Sequence, residues 1–259
     1  MKYHQLNHIL NNKTLGSSEL VQLLNNYLLS ISDYIPAIIK TARIVKTKLG
    51  HFEAVSSYLK DLSSELKTGH GLLNFLRSHS LQQKEHVEII FKKIFPQLKK
   101  LNKIITLSRS GTVLAVLKLW HQKNKKLKVV VCESRPKFEG RLMTKELAVN
   151  GIKVELITDA MMGLYIPKID AAIIGADIVL NTGNMVNKVG SKALALLCRE
   201  HKKPLFIVTA KSKLSKKKVF KSKKENPQEV WDKNVKNLSI SNIYFEEIDK
   251  KYITKIFIE

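Results

Sequence analysis

The sequence predicts an α/β chain: a small helical domain over residues 1–100, then a mostly parallel sheet with helices on both faces over 101–259. Three observations carry this. Up to residue 100 the apolar residues recur at helical spacing, with no period-two stretch of any length. From Lys103 onward, short apolar runs alternate with helical stretches at short intervals, the signature of parallel strands joined by crossover helices. Each run ends in a polar turn, so the residues that carry chemistry fall at strand ends, where open parallel sheets bind ligands.

The elements follow in order. Ser17-Ser18-Glu19 starts a helix carrying Leu20, Val21, Leu23, Leu24, Leu28 and Leu29. Pro36 opens a second that stops near Gly50, and residues 52–66 form a third. Gly69-His70-Gly71 reads as a break, residues 72–76 as a short segment, and 86–98 as a last helix interrupted by Pro96. Strands are expected at 104–107, 128–132, 154–157, 171–174 and 205–209, with a further apolar run at 252–258. Helices are expected at 112–120, 141–150 and 192–200, the second ending at Gly151 as a C′ glycine should end it.

Composition narrows the classes. The chain has 259 residues, 44% of them hydrophobic, enough for a substantial core. No apolar run approaches the ~18 residues that span a bilayer, and the first residues lack the apolar core of a secretory signal. Cys132 and Cys198 offer neither a disulfide framework nor metal-ligand spacing, and the histidines are dispersed, so no metal or cofactor is expected. A cytoplasmic protein with reduced thiols is the default. The net charge of +23 comes mostly from Lys scattered along the chain, with only six Arg, and reads as a solvated surface. The segment 211–224, bounded by Lys211 and Lys224, is the exception: it holds eight Lys and no acid, and reads as a mobile basic loop that could touch RNA.

Hydroxyls, guanidinium groups and carboxylates gather at one rim. Ser108-Arg109-Ser110-Gly111 lies between a strand and a helix N-terminus, a place that attracts an anion. It lacks the glycines of a dinucleotide loop, so a single phosphate fits better than a pyrophosphate. Ser108 and Ser110 could equally be caps of that helix. Glu133 lies at about the spacing of a ribose-binding acid, and Arg135 follows it. Arg109, Arg135 and Arg141 mark places where a planar fork matters, the alternative being salt bridges to Glu133 or Glu139. Asp159 and Asp177 could form a proton-transfer pair or cap helices. Asp177 has the stronger claim, because Gly175-Ala176 before it allow close approach, and Asn187-Lys188 could hold phosphate or a sugar hydroxyl.

Gly175-Ala176-Asp177, Asn181 to Gly183, Asn187-Lys188-Val189-Gly190, Glu133-Ser134-Arg135-Pro136 with Gly140, and the late Asn242-Ile243-Tyr244-Phe245 together resemble the translation initiation factor 2B alpha/beta/delta family. Its superfamily includes methylthioribose-1-phosphate and ribose-1,5-bisphosphate isomerases. The resemblance covers residues 101–259 and implies a Rossmann-like domain, a homo-oligomer and a pocket for phosphorylated sugars or nucleotides. In the isomerases an Asp and a Cys carry out aldose–ketose conversion. Asp177 matches the Asp, and Ser108 stands at the Cys position. The function expected is thus an initiation-factor-2B-like protein binding a sugar phosphate or nucleotide, with a regulatory or assembly role. The alternatives are a sugar-phosphate isomerase using Asp177 and Ser108, and a partner of RNA or a translation GTPase through residues 211–224.

Overall fold

A computed structural model describes residues 2–12, 15–68 and 71–259; Gly69 and His70 of the expected break lie outside the described residues. The chain begins with five helices, α1 (Lys2–Asn11), α2 (Ser17–Ser30), α3 (Ile35–Leu49), α4 (Glu53–Thr68) and α5 (Leu72–Leu98). The start of α2 is set by Glu19, whose carboxylate accepts the Gly16 N–H at 3.2 Å, satisfying one of the donors a helix leaves unpaired. Pro36 sits in the first turn of α3, where its missing N–H costs nothing.

The two segments expected at 72–76 and 86–98 are one helix of 27 residues. The polar stretch between them hid the continuity, since residues such as Leu81 face solvent there. Pro96 deprives the Lys92 carbonyl of its partner, yet the helix runs on to Leu98. This helix serves two cores. Leu76 joins Leu24, Leu28, Val45 and Leu62 in the helical core, whereas Ile90, Ile94 and Leu98 pack against the sheet. Each fully buried side chain of this size contributes about 2 kcal/mol.

Six strands form the sheet: β1 (Lys103–Leu107), β2 (Lys128–Cys132), β3 (Lys153–Ile157), β4 (Ala171–Ile174), β7 (Leu205–Val208) and β9 (Lys255–Phe257). Between them lie α6 (Gly111–Lys123), α7 (Glu139–Val149), the single turn α8 (Met162–Tyr165) and α9 (Ser191–Glu200). All neighbours pair in parallel, in the order β3-β2-β1-β4-β7-β9. Alternate residues of each strand face opposite sides. Ile104, Val129, Val131 and Ile173 meet Trp120 and α5, while Ile105, Val130, Ala172 and Ile174 meet Leu194 and Cys198. Burial on both faces is why these strands read as unbroken apolar runs.

A second sheet was not legible as such. Strands β5 (Ile178–Val179), β6 (Met185–Lys188) and β8 (Phe245–Ile248) pair antiparallel in the order β5-β6-β8. The turn at Asn181–Asn184 is therefore a hairpin, and Asn187 and Lys188, expected to hold phosphate or a sugar hydroxyl, are buried strand residues.

Candidate functional site

In a parallel sheet the strand order reverses where one connection goes left and the next goes right, and the loops there part to leave a crevice. Here that point lies between β1 and β4. The loop after β1 is Ser108-Arg109-Ser110, and the loop after β4 is Gly175-Ala176-Asp177. They are so close that a Cβ at Gly175 would stand 2.6 Å from the Ser110 hydroxyl. A cavity of about 600 Å³ opens from this crevice. It is roofed by the start of α2, by the α3–α4 junction around Phe52, and by the chain from Lys213 to Glu229.

Ser108, Arg109, Ser110, Gly111, Gly175, Asp177, Asn187 and Lys188 all line this cavity. Glu133 and Arg135 do not, and their expected ligand role finds no place at it. They follow β2, one strand away from the crevice, and Asp159 pins their loop by accepting the N–H groups of Ser134 and Arg135 at 2.9 and 2.7 Å. The Asp159 carboxylate is committed to that task and stands outside the cavity wall. Glu133 pairs with Arg141 at 2.8 Å, as the salt-bridge alternative required, and Arg135 is exposed, its guanidinium over the Phe138 ring and its Nη2 donating to the Val230 carbonyl.

Within the cavity the groups differ in how free they are. Arg109 is buried, and its guanidinium lies between two carboxylates: Nε and Nη2 donate to Glu146 at 2.8 Å each, and Nη2 donates to Glu19 at 2.8 Å, with Nη1 donating to Glu19 as well. Burial opposes its charge, but Glu19 and Glu146 overcome this and hold its pKa above the ordinary range. Expected as a phosphate clamp, Arg109 is neutralised twice over, by residues on α2 and α7. The glycine at 111 is required by the same arrangement, since a Cβ there would meet Glu19 at 2.9 Å. Lys188 is similarly engaged, 2.7 Å from Glu139 and 4.8 Å above the Tyr244 ring. Asn187 donates to Ser191 at 2.9 Å.

Ser110 caps α6 by accepting the Val113 N–H at 3.4 Å. Ser108 holds a left-handed backbone, φ 63°, and its N–H donates to the Ser134 hydroxyl at 2.7 Å. A non-glycine residue pays for that conformation, and such strain gathers at functional positions.

Asp177 and Lys213 are the uncommitted pair. Lys213, in the turn just after β7, is 5% exposed and lines the cavity with Asp177. Among the described residues neither side chain makes a hydrogen bond or an ion pair within 4 Å. Burial raises the Asp177 pKa, opposed by Lys213 and Lys188. Burial lowers the Lys213 pKa, opposed by Asp177 and Glu19. Both groups are pulled toward their neutral forms. The segment 211–224, expected as a mobile loop, is laid against the small sheet: the Ser215 N–H donates to Val179 and the Asn181 N–H to Lys217. Lys213, Glu139, Glu19 and Tyr244 were missed from the sequence as site residues. Lys213 gave no signal there, being one lysine in a run of eight.

The sequence matches the model of the initiation factor 2 subunit family over residues 4–259. The chain belongs to that family. It is 34% identical over 158 residues to a translation initiation factor eIF-2B subunit 2-like protein of Pyrococcus horikoshii, covering 60% of this chain and 55% of that one. It is 30% identical over 165 residues to the ribose 1,5-bisphosphate isomerase of Archaeoglobus fulgidus, covering 60% and 52%. The match thus spans about half the length of these curated relatives. The crystal structure of 5-methylthioribose 1-phosphate isomerase from Pyrococcus horikoshii shares the fold, with a TM-score of 0.84 at 20% identity, covering 99% of this chain and 82% of that one. Family members of both kinds, factor-like and isomerase, are therefore similar to this chain. Among the described residues no helix is long and apolar enough to cross a membrane.

Proposed function

We propose that the cavity binds a phosphorylated sugar and that this protein is a ligand-binding, regulatory member of its family. The observation that carries the reading is the pairing of a hydroxyl, Ser108, with an uncommitted carboxyl, Asp177, across one crevice. Phosphate sits against the first-turn amides of α6 at Gly111 and Thr112, which have no partner within the helix and meet its positive dipole end. Lys217 and Lys221 line the mouth and draw the anion in. The sugar hydroxyls reach Asp177, whose pKa burial raises against the pull of Lys213 and Lys188. A serine hydroxyl does not ionise near neutral pH as a thiol can, so the proton relay of an isomerase has only one of its two members.

Calorimetry with pentose phosphates, hexose phosphates and nucleotides tests this. A pentose phosphate is expected to bind, and Asp177→Asn to weaken it about tenfold, the loss of one hydrogen bond to a sugar hydroxyl. Absence of binding at millimolar ligand removes the proposal. Assembly into a dimer or larger oligomer belongs to the same reading, supported by the exposed Trp231 and Val235, and sedimentation checks it.

The freedom of Asp177 and Lys213 favours a second reading, that of an aldose–ketose isomerase with Asp177 as acid and base. Its measure is deuterium uptake from solvent next to the sugar carbonyl. No exchange above the Asp177→Asn background would end it.

A further inference from the structure

The cavity holds a feature that sugar-phosphate binding alone does not use. A buried lysine is costly: desolvating an ammonium group is repaid only by a close counter-charge or by loss of its proton. Lys213 is buried, lies beside Asp177 on the cavity wall, and has no hydrogen bond or ion pair within 4 Å among the described residues. The cations around it are arranged otherwise: Arg109 and Lys188 are each clamped by glutamate, and Lys217 is 3.2 Å from Glu53. Its amine, clamped by no glutamate among the described residues, is buried on the same cavity wall as the Asp177 carboxyl.

We propose that Lys213 is a nucleophile that forms an imine with the carbonyl carbon of an open-chain aldose phosphate held in this cavity, with Asp177 moving the protons. The proposal rests on the sugar-phosphate reading of the site and names what happens there. The Lys213 nitrogen lone pair attacks the carbonyl carbon, and the C=O π pair moves to oxygen, which takes the Asp177 proton. The new ammonium returns a proton to the Asp177 carboxylate. Asp177 then protonates the hydroxyl, which leaves as water while the nitrogen lone pair closes the C=N bond and nitrogen's second proton departs to Asp177. One C=O bond and two N–H bonds are exchanged for one C=N and two O–H bonds, with no change of oxidation state. The buried setting favours the reactive forms at both ends, a free amine and a protonated carboxyl. Arginine would supply the charge but not this chemistry.

The probe is borohydride trapping with glycolaldehyde phosphate or ribose 5-phosphate, read by peptide mass spectrometry across all the lysines. A lowered pKa leaves more of the amine free near neutral pH, and the cavity holds the carbonyl close to it, so Lys213 should label at least several-fold ahead of surface lysines. Lys213→Arg should abolish that adduct and Asp177→Asn should slow it. Labelling spread evenly over the lysines, with Lys213 no faster than the rest, overturns the proposal. Ribitol 5-phosphate, which has a phosphate and hydroxyls but no carbonyl, separates this from the binding reading. If it binds and Lys213 is not trapped, the imine is wrong and the binding site stands. If neither occurs, both fall.

Discussion

On the β1 side of the cavity charge is matched: Arg109 lies between Glu19 and Glu146, its four contacts joining α2, α7 and the loop after β1. On the β4–β7 side Asp177 and Lys213 face the cavity with no such partners among the described residues. Both walls bury a cation and both stand at strand ends. One ties the N-terminal helices to the sheet, and the other leaves its two groups unclamped at the cavity surface. The lesson is that a charged residue at a strand end says little about its role until the partners of that charge are known.

The largest effect should come from breaking the matched wall. Arg109→Ala leaves two carboxylates side by side without their cation, and removing one member of a buried pair costs about 3–5 kcal/mol. Glu19 and Glu146 are a quarter or more exposed, so solvent relieves part of this, and about 3 kcal/mol is expected. Denaturant titration measures it. A loss below about 0.5 kcal/mol, the level of a surface pair, would erase the contrast between the walls. Gly175→Ala comes next. Its new Cβ would lie 2.6 Å from the Ser110 hydroxyl and 2.9 Å from Ser110 Cβ, so the crevice must widen, at about 1–3 kcal/mol.

The uncommitted wall should show itself in pH dependence instead. Because the folded pKa of Asp177 is raised above 3.8, the folded state holds a proton that the unfolded chain releases, so stability falls as pH rises from about there through the folded value. Lys213 acts with the opposite sign in a higher window. Its folded pKa is lowered below 10.5, so stability rises with pH from the folded value up to that point. Each unit of either shift is worth about 1.4 kcal/mol. Asp177→Asn should remove the fall and Lys213→Met the rise, as seen in unfolding curves across pH. Curves that superpose on wild type would mean the wall is not strained by burial.

How much of this could be read from the sequence depends on how far apart the interacting residues lie. The parallel sheet was legible because each strand buries both faces and so appears as a local run, such as Val129 to Cys132. The crevice was legible for the same reason, since strand ends follow from strands. The small sheet was not, because β5 has two residues and β6 ends in Asn187-Lys188, whose burial is imposed by β8 and Glu139 rather than by their own polarity. Nor was the use of Arg109, whose partner Glu19 is 90 positions away. Lys213 was hidden more completely, since nothing local distinguishes it from Lys216 or Lys217.

The smallest effect has the opposite sign and sharpens the comparison within the β1 wall itself. Ser108 takes φ 63°, a conformation that costs a non-glycine residue about 1–3 kcal/mol. Replacing it by glycine removes that strain but gives the unfolded chain more freedom, at about 0.4–1 kcal/mol. Ser108→Gly should therefore stabilise the protein by roughly 0.5 kcal/mol or somewhat more. Ser108→Ala keeps the backbone strain and loses only the hydroxyl, so its stability should stay near wild type while its affinity for a pentose phosphate falls with that of the glycine variant. Stability gained and binding lost in the same glycine variant would mean that the strain holds the hydroxyl for the ligand. If Ser108→Gly binds a pentose phosphate as wild type does, the left-handed serine serves only the turn, and the β1 wall is structural throughout.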